Sequence, residues 1–135
     1  MKELNLKEVQ KVNEKIQVID PAFLSSSPQM CYEVAIWCAT QRAYTGEQMA
    51  LAKKVWLDAK RKAYETFVVS NDANQTRVER FGVMVVKDYI HAKCGNHEST
   101  YEYIERTNNA LGSMEDVLRS VISAIKQEMY YNNKS

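Results

Sequence analysis

Apolar residues recur along this chain at steps of three and four, the period of an α-helix rather than the period of two that marks a half-buried strand. Asn5 with Glu8 three residues later has the spacing of a capping box. From there Leu6, Val9, Val12, Ile16 and Ile19 keep helical register up to Asp20-Pro21. Leu24-Ser25-Ser26-Ser27-Pro28 reads as a loop whose last two residues suit an N-cap and a first helical position. Residues 1–27 are therefore expected to form a short helix and a loop.

Residues 28–69 are expected to form a long helix. Between Gln29 and Val69 there is no proline and a single glycine, Gly46, while alanine stands at 35, 39, 43, 50, 52, 59 and 63. Two stripes emerge. Tyr32, Ile36, Ala39, Ala43, Gly46 and Ala50 make a mostly small face open to close approach by a partner helix, and Met49, Ala52, Trp56, Ala59, Ala63 and Phe67 make another. Gly46, between Thr45 and Gln48, suits either a continuous, gently kinked helix or a break with a new N-cap, and the continuous form is preferred.

After a polar loop from Ser70 to Gln75, Thr76 with Glu79 forms a second capping-box pattern. Val78, Phe81, Val85, Tyr89 and Ala92 then predict a middle helix over 76–95. Gly82-Val83-Met84-Val85-Val86 has the β-branched density of a short buried strand, but the helical period continues through Ala92. Cys94-Gly95-Asn96 reads as a C-cap. A last helix is expected over 97–131, where Tyr101, Ile104, Asn108, Leu111, Glu115, Leu118, Ile122, Ile125 and Met129 form a heptad-like seam. Asn108 and Glu115 interrupt it, as polar residues that restrict register in coiled coils do. The expected fold is all-α: one domain of long antiparallel helices in a hairpin or bundle. Ile104, Leu111, Leu118, Ile122, Ile125 and Met129 are taken as the face that meets another copy or a partner, making the protein a homo-oligomer.

Composition agrees with a helical globular domain. Of 135 residues, 45% are apolar and 26% charged, with only four glycines and two prolines. Three cysteines, an odd number without C-x-x-C spacing, fit reduced thiols in a cytoplasm. Met1 to Lys7 mixes charges where a secretory signal has an apolar block, and the longest apolar run is Val83 to Val86, so neither export nor a membrane span is expected. Asn74-Gln75-Thr76 matches a glycosylation sequon, a coincidence in a cytoplasmic protein.

Catalytic and metal chemistry find little to stand on. His91-x-x-Cys94-x-x-His97 is the one metal-like cluster, but a turn at Gly95 separates its members and a structural zinc needs four converging ligands. No nucleophile elbow, phosphate-cradling glycine loop or dense carboxylate cluster occurs, and Glu115-Asp116 point about 100° apart on a helix. No enzymatic activity, metal or cofactor is expected.

The charge map is more informative than the charge sum. The chain carries 18 Lys+Arg against 17 Asp+Glu, a formal +1. Residues 50–65 hold five basic and two acidic residues, a net of +3, and residues 76–95 hold four and two, a net of +2. Residues 96–135 hold six acidic and four basic residues, a net of −2. Lys53 and Lys60 lie one heptad apart, as do Lys54 and Arg61, so with Lys62 they form a ridge on a helix, to which Arg77 and Arg80 add further charge. Such a ridge neutralises phosphates, and Trp56, Tyr64 and Phe67 stack unpaired bases if exposed. The competing reading is a solvated basic face with Trp56 in the core.

This layout resembles the UvsY-like recombination mediator proteins of bacteriophages. The resemblance is carried by the alanine- and lysine-rich helix ending Lys53-Lys54-Val55-Trp56-Leu57-Asp58-Ala59-Lys60-Arg61-Lys62-Ala63-Tyr64, the polar loop after it, and the closing Asp116-Val117-Leu118-Arg119-Ser120-Val121-Ile122-Ser123-Ala124-Ile125-Lys126. It covers roughly Tyr32 to Glu128 as an order of elements and a composition. It implies a helical subunit in the host cytoplasm that assembles into a ring-like oligomer, binds single-stranded DNA and helps load a recombinase onto strands coated by single-strand-binding protein. A near-neutral subunit then needs the multivalency of the oligomer. The alternative is a helical protein-interaction module, such as a phage assembly part or an inhibitor of a host enzyme, that binds no nucleic acid.

Overall fold

The computed structural model describes residues 3–69 and 77–134, with side chains over 3–67 and 84–133. Four helices follow one another: α1 Leu6–Gln17, α2 Pro21–Leu24, α3 Pro28–Val69 and α4 Arg77–Lys134. No strand occurs among the described residues, and Val83 to Val86 lie inside α4. The polar loop 70–75 and the Thr76 cap lie outside the described residues.

Local chemistry sets the helix starts. Asn5 Oδ1 accepts from Glu8 N at 3.2 Å, fixing the first turn of α1. The reciprocal half of the box is diverted: Asn5 N–H donates to Gln48 Oε1 at 2.6 Å, so this cap also ties α1 to α3. Asp20 caps the single turn of α2, accepting from Ala22 N at 3.0 Å with Pro21 at the first helical position. Ser27 Oγ accepts from Met30 N at 3.4 Å and Pro28 opens α3 as expected. α3 then runs through Gly46 without interruption for 42 residues.

The expected break after Cys94 is corrected. α4 is continuous for 58 residues, joining the segments expected over 76–95 and 97–131. A glycine inside a helix costs only about 1 kcal/mol relative to alanine, too little to end a helix supported on both sides when no proline follows. Gly95 does not adopt the left-handed backbone of a C-cap glycine. His91 Nδ1 and Glu98 Oε2, seven residues apart, meet at 3.1 Å on one helix face across the supposed cap.

Packing divides the chain into two compact units. The terminal unit comprises Asn5–Gln48 and Ile104–Ser135, and the middle unit comprises Met49–Tyr103 with Met1–Leu4. In the terminal unit α1, α2, the first half of α3 and the second half of α4 enclose Val12, Ile16, Leu24, Cys31, Cys38, Leu111, Leu118 and Ile122. Fully burying one such aliphatic side chain is worth about 1.5–3 kcal/mol. α3 and α4 run antiparallel: Tyr32 meets Lys126, Arg42 meets Glu115, and Thr45 meets Asn108.

The seam of α4 lies inside one chain, which corrects its assignment as an assembly face. Ile104, Leu111 and Leu118 are completely buried, Ile122 nearly so, and Ile125 packs on the same core. Only Met129, 56% exposed, faces outward. Its polar interruptions are also answered internally. Asn108 Nδ2 donates to Arg42 O and Thr45 Oγ1, both at 2.9 Å, fixing the α3–α4 register. Glu115, 5% exposed, accepts from Arg119 Nη2 at 3.3 Å and has Arg42 Nη1 at 3.9 Å. Gly112 is what admits Arg42, because a Cβ there would sit 3.3 Å from the guanidinium carbon.

Both cysteines of this unit are inert in environment. Cys31 Sγ donates to Leu24 O at 3.0 Å, and burial raises its thiol. Burial, and after it the Glu115 charge, push the Cys38 thiol up to about 11.

The middle unit is built differently. Among its described residues Ala52, Ala63, Phe67, Val86 and Cys94 are buried, and the two alanines let the helices approach closely. Aromatic pairs join α3 to α4: Trp56 with Tyr101 at 5.7 Å between centroids, and Phe67 with Tyr89 at 5.0 Å.

Candidate nucleic-acid interface

The buried line of α3 in the middle unit, Ala52, Ala63 and Phe67, fixes where its cations stand. At 100° per residue, Lys54 and Arg61 fall nearly opposite that line, Lys53 and Lys60 on one flank, and Lys62 toward the other. Lys53, Lys54, Arg61 and Lys62 are exposed and Lys60 is half-buried. Arg61 Nη1 meets Glu65 Oε1 at 3.3 Å, an exposed pair worth a few tenths of a kcal/mol. Lys53, Lys54 and Lys62 have no carboxylate within ion-pair distance among the described residues. Arg77 and Arg80 occupy the first turn of α4, and their side chains lie outside the described ones.

Apolar groups interleave with these charges. Leu57, 51% exposed, and Tyr64, 45% exposed, fall between the Lys53/Lys60 and Lys54/Arg61 lines. Of the three aromatics read as candidate stacking groups, Tyr64 is on the surface, Phe67 is in the core, and Trp56 is half-buried.

A groove of ≈ 610 Å³ adjoins this stripe within the middle unit. α3 contributes Trp56 and Lys60, while α4 contributes Lys87, Ile90, His91 and Cys94, together with the carboxylates of Asp88 and Glu98. Lys60 Nζ stands 3.9 Å from the Trp56 ring centroid. The indole Nε1–H beneath is buried and has no hydrogen-bond partner among the described residues. Lys87 and His91 lie on the helix expected over 76–95 but were not read as site residues, because their meeting with Trp56 and Lys60 depends on packing between α3 and α4. Continuous α4 places Lys87, His91, Cys94 and Glu98 at steps of four, three and four, a spacing present in the sequence.

The His91, Cys94 and His97 cluster does not converge. Cys94 is buried, His91 is tied to Glu98, and His97 is exposed elsewhere around the helix. Among the described residues no group of three metal-binding side chains comes together, and no helix is long and apolar enough to cross a membrane. The arrangement offers cations, a flat aromatic floor and hydrogen-bond acceptors, which is binding chemistry. Comparison with family models, curated proteins and solved structures finds no match to this chain.

Proposed function

We propose that this protein binds single-stranded DNA along the exposed stripe of α3 and acts as an accessory factor in phage recombination or replication. The observation that carries the reading is the stripe itself: Lys53, Lys54 and Arg61 exposed around surface Leu57 and Tyr64, with exposed Lys62 on the far flank of the same helix. Cations that track a backbone beside groups that take base faces are how sequence-tolerant single-strand binders work. Recombinase loading, contact with single-strand-binding protein and multivalent action of an oligomer follow from the resemblance to UvsY-like mediators and belong to the same proposal. Fluorescence anisotropy with a labelled single-stranded oligonucleotide, titrated at several salt concentrations, tests it. Affinity should fall linearly on a log–log plot against salt, and absence of salt-sensitive binding refutes the reading.

A second reading, a protein-interaction module without nucleic-acid binding, is favoured by an uncovered face in the terminal unit. Tyr32 and Ile36 are 40% and 65% exposed there, and Ala39 and Ala43 are exposed beside them. It predicts a solution mass above that of one chain, or a stable partner complex, abolished by Ile36→Glu, with no response to oligonucleotide.

A further inference from the structure

We infer that the groove of the middle unit is the seat of one unstacked nucleobase, with Trp56 as its platform and Lys60 as the side chain that moves off to admit it. This rests on the single-strand reading above and adds a base contact to what is otherwise a phosphate surface. Two observations converge on it. The Trp56 ring packs against Tyr101 at 5.7 Å between centroids and lines the groove, with the flexible Lys60 placing its Nζ 3.9 Å from the ring centroid. The groove, ≈ 610 Å³, falls within the size range of small-ligand sites and has Ile90 and Cys94 as apolar wall.

The chemistry of the rim matches a nucleotide. A cation over an aromatic face is held by a contact that stacking with a base replaces in kind. Once displaced, the Lys60 ammonium stands with Lys87 to neutralise the phosphates on either side of the seated base. Asp88 and Glu98 supply acceptors, and carboxylates take hydrogen bonds from exocyclic amino groups of bases.

The chain has two tryptophans, so Trp37→Phe leaves Trp56 as the sole indole reporter. Its emission is followed while a labelled single-stranded oligonucleotide is added, and anisotropy of the label is read in the same titration; an abasic oligomer of equal length serves as the second ligand. Binding of the base-bearing strand should quench Trp56 by about half, in step with the anisotropy, whereas the abasic strand should bind without quenching. Trp56→Leu should weaken the base-bearing strand by roughly tenfold to a hundredfold and leave the abasic strand unchanged. Binding of the base-bearing strand without quenching, or equal quenching by both strands, overturns the base seat and leaves the single-strand reading intact. No rise in anisotropy with either strand removes both.

Discussion

The two units share the same pair of helices and solve different problems. The terminal unit stacks Leu111, Leu118 and Ile122 against Val12, Ile16 and Leu24, then adds a buried polar layer at Asn108 and Thr45 that admits one register. Among its described residues the middle unit buries two alanines, a phenylalanine, a valine and a thiol, and it exposes Lys53, Lys54, Arg61 and Lys62 on α3. Aliphatic burial favours folding in proportion to area, whereas clustered like charges oppose it. The described aliphatic core therefore lies in the terminal unit, while the proposed ligand contact falls on the middle unit.

The widest separation should come from Leu111→Ala, which removes a fully buried side chain and is expected to cost about 2–5 kcal/mol in urea unfolding. Oligonucleotide affinity measured well below the unfolding midpoint should not change, and a proportional fall in binding would erase the division of labour. The opposite pattern is expected of the combined Lys53→Gln, Lys60→Gln and Arg61→Gln variant. Its log–log salt slope should be shallower by roughly 2, with unfolding stability within about 0.5 kcal/mol of the parent.

A third test uses pH. The Cys38 thiol is raised from its ordinary 9.0 to about 11, so the unfolded chain loses this proton first. The associated stability is fully present below pH 9 and declines as pH rises toward 11, by roughly 2 kcal/mol for this group. Burial, and after it the Glu8 charge, also raise the Tyr44 hydroxyl, which adds to the alkaline loss. Cys38→Ala should thus flatten the decline without abolishing it; an unchanged slope in chemical denaturation between pH 8 and 11 would discount the thiol.

Asn108→Ala should cost about 1–2 kcal/mol in urea unfolding by removing the two bonds its Nδ2 donates to Arg42 O and to the buried Thr45 Oγ1, which keeps its own bond to Arg42 O. Smallest is Gly95→Ala: a Cβ there meets nothing within 4 Å, so thermal unfolding should show a gain of about 0.5–1 kcal/mol. A loss instead would restore Gly95 as a helix terminator and break α4 in two.

Much of the terminal unit was legible in the sequence because its signals are local. The Asn5 and Ser27 caps, Pro28 at the start of α3 and the three–four spacing of the α4 seam all appear where expected. The reading failed where the outcome depends on what lies across the helix. Periodicity says which face of α4 is apolar, but whether another chain or α1 and α3 cover Leu111 and Leu118 depends on the fold. At Gly95 a local terminator competed with helical support on both sides and lost. Lys87 and His91 stand on the helix expected over 76–95, and that they line one groove with Trp56 and Lys60 is set by packing between α3 and α4. The basic residues on α3 were legible as a ridge, whereas the exposure of Tyr64 and the burial of Phe67 were set by packing against α4.

The core that joins Val12 to Leu111 also has a consequence for synthesis. The two residues lie about a hundred positions apart, and chains lengthen at roughly 5–20 residues per second. For some 5–20 s after α1 is made, its Val9, Val12 and Ile16 face has no α4 to cover it. The nascent chain must carry that apolar helix through the making of the entire middle unit, so slowed translation over residues 49–103 lengthens the interval in which aggregation or chaperone capture competes with folding.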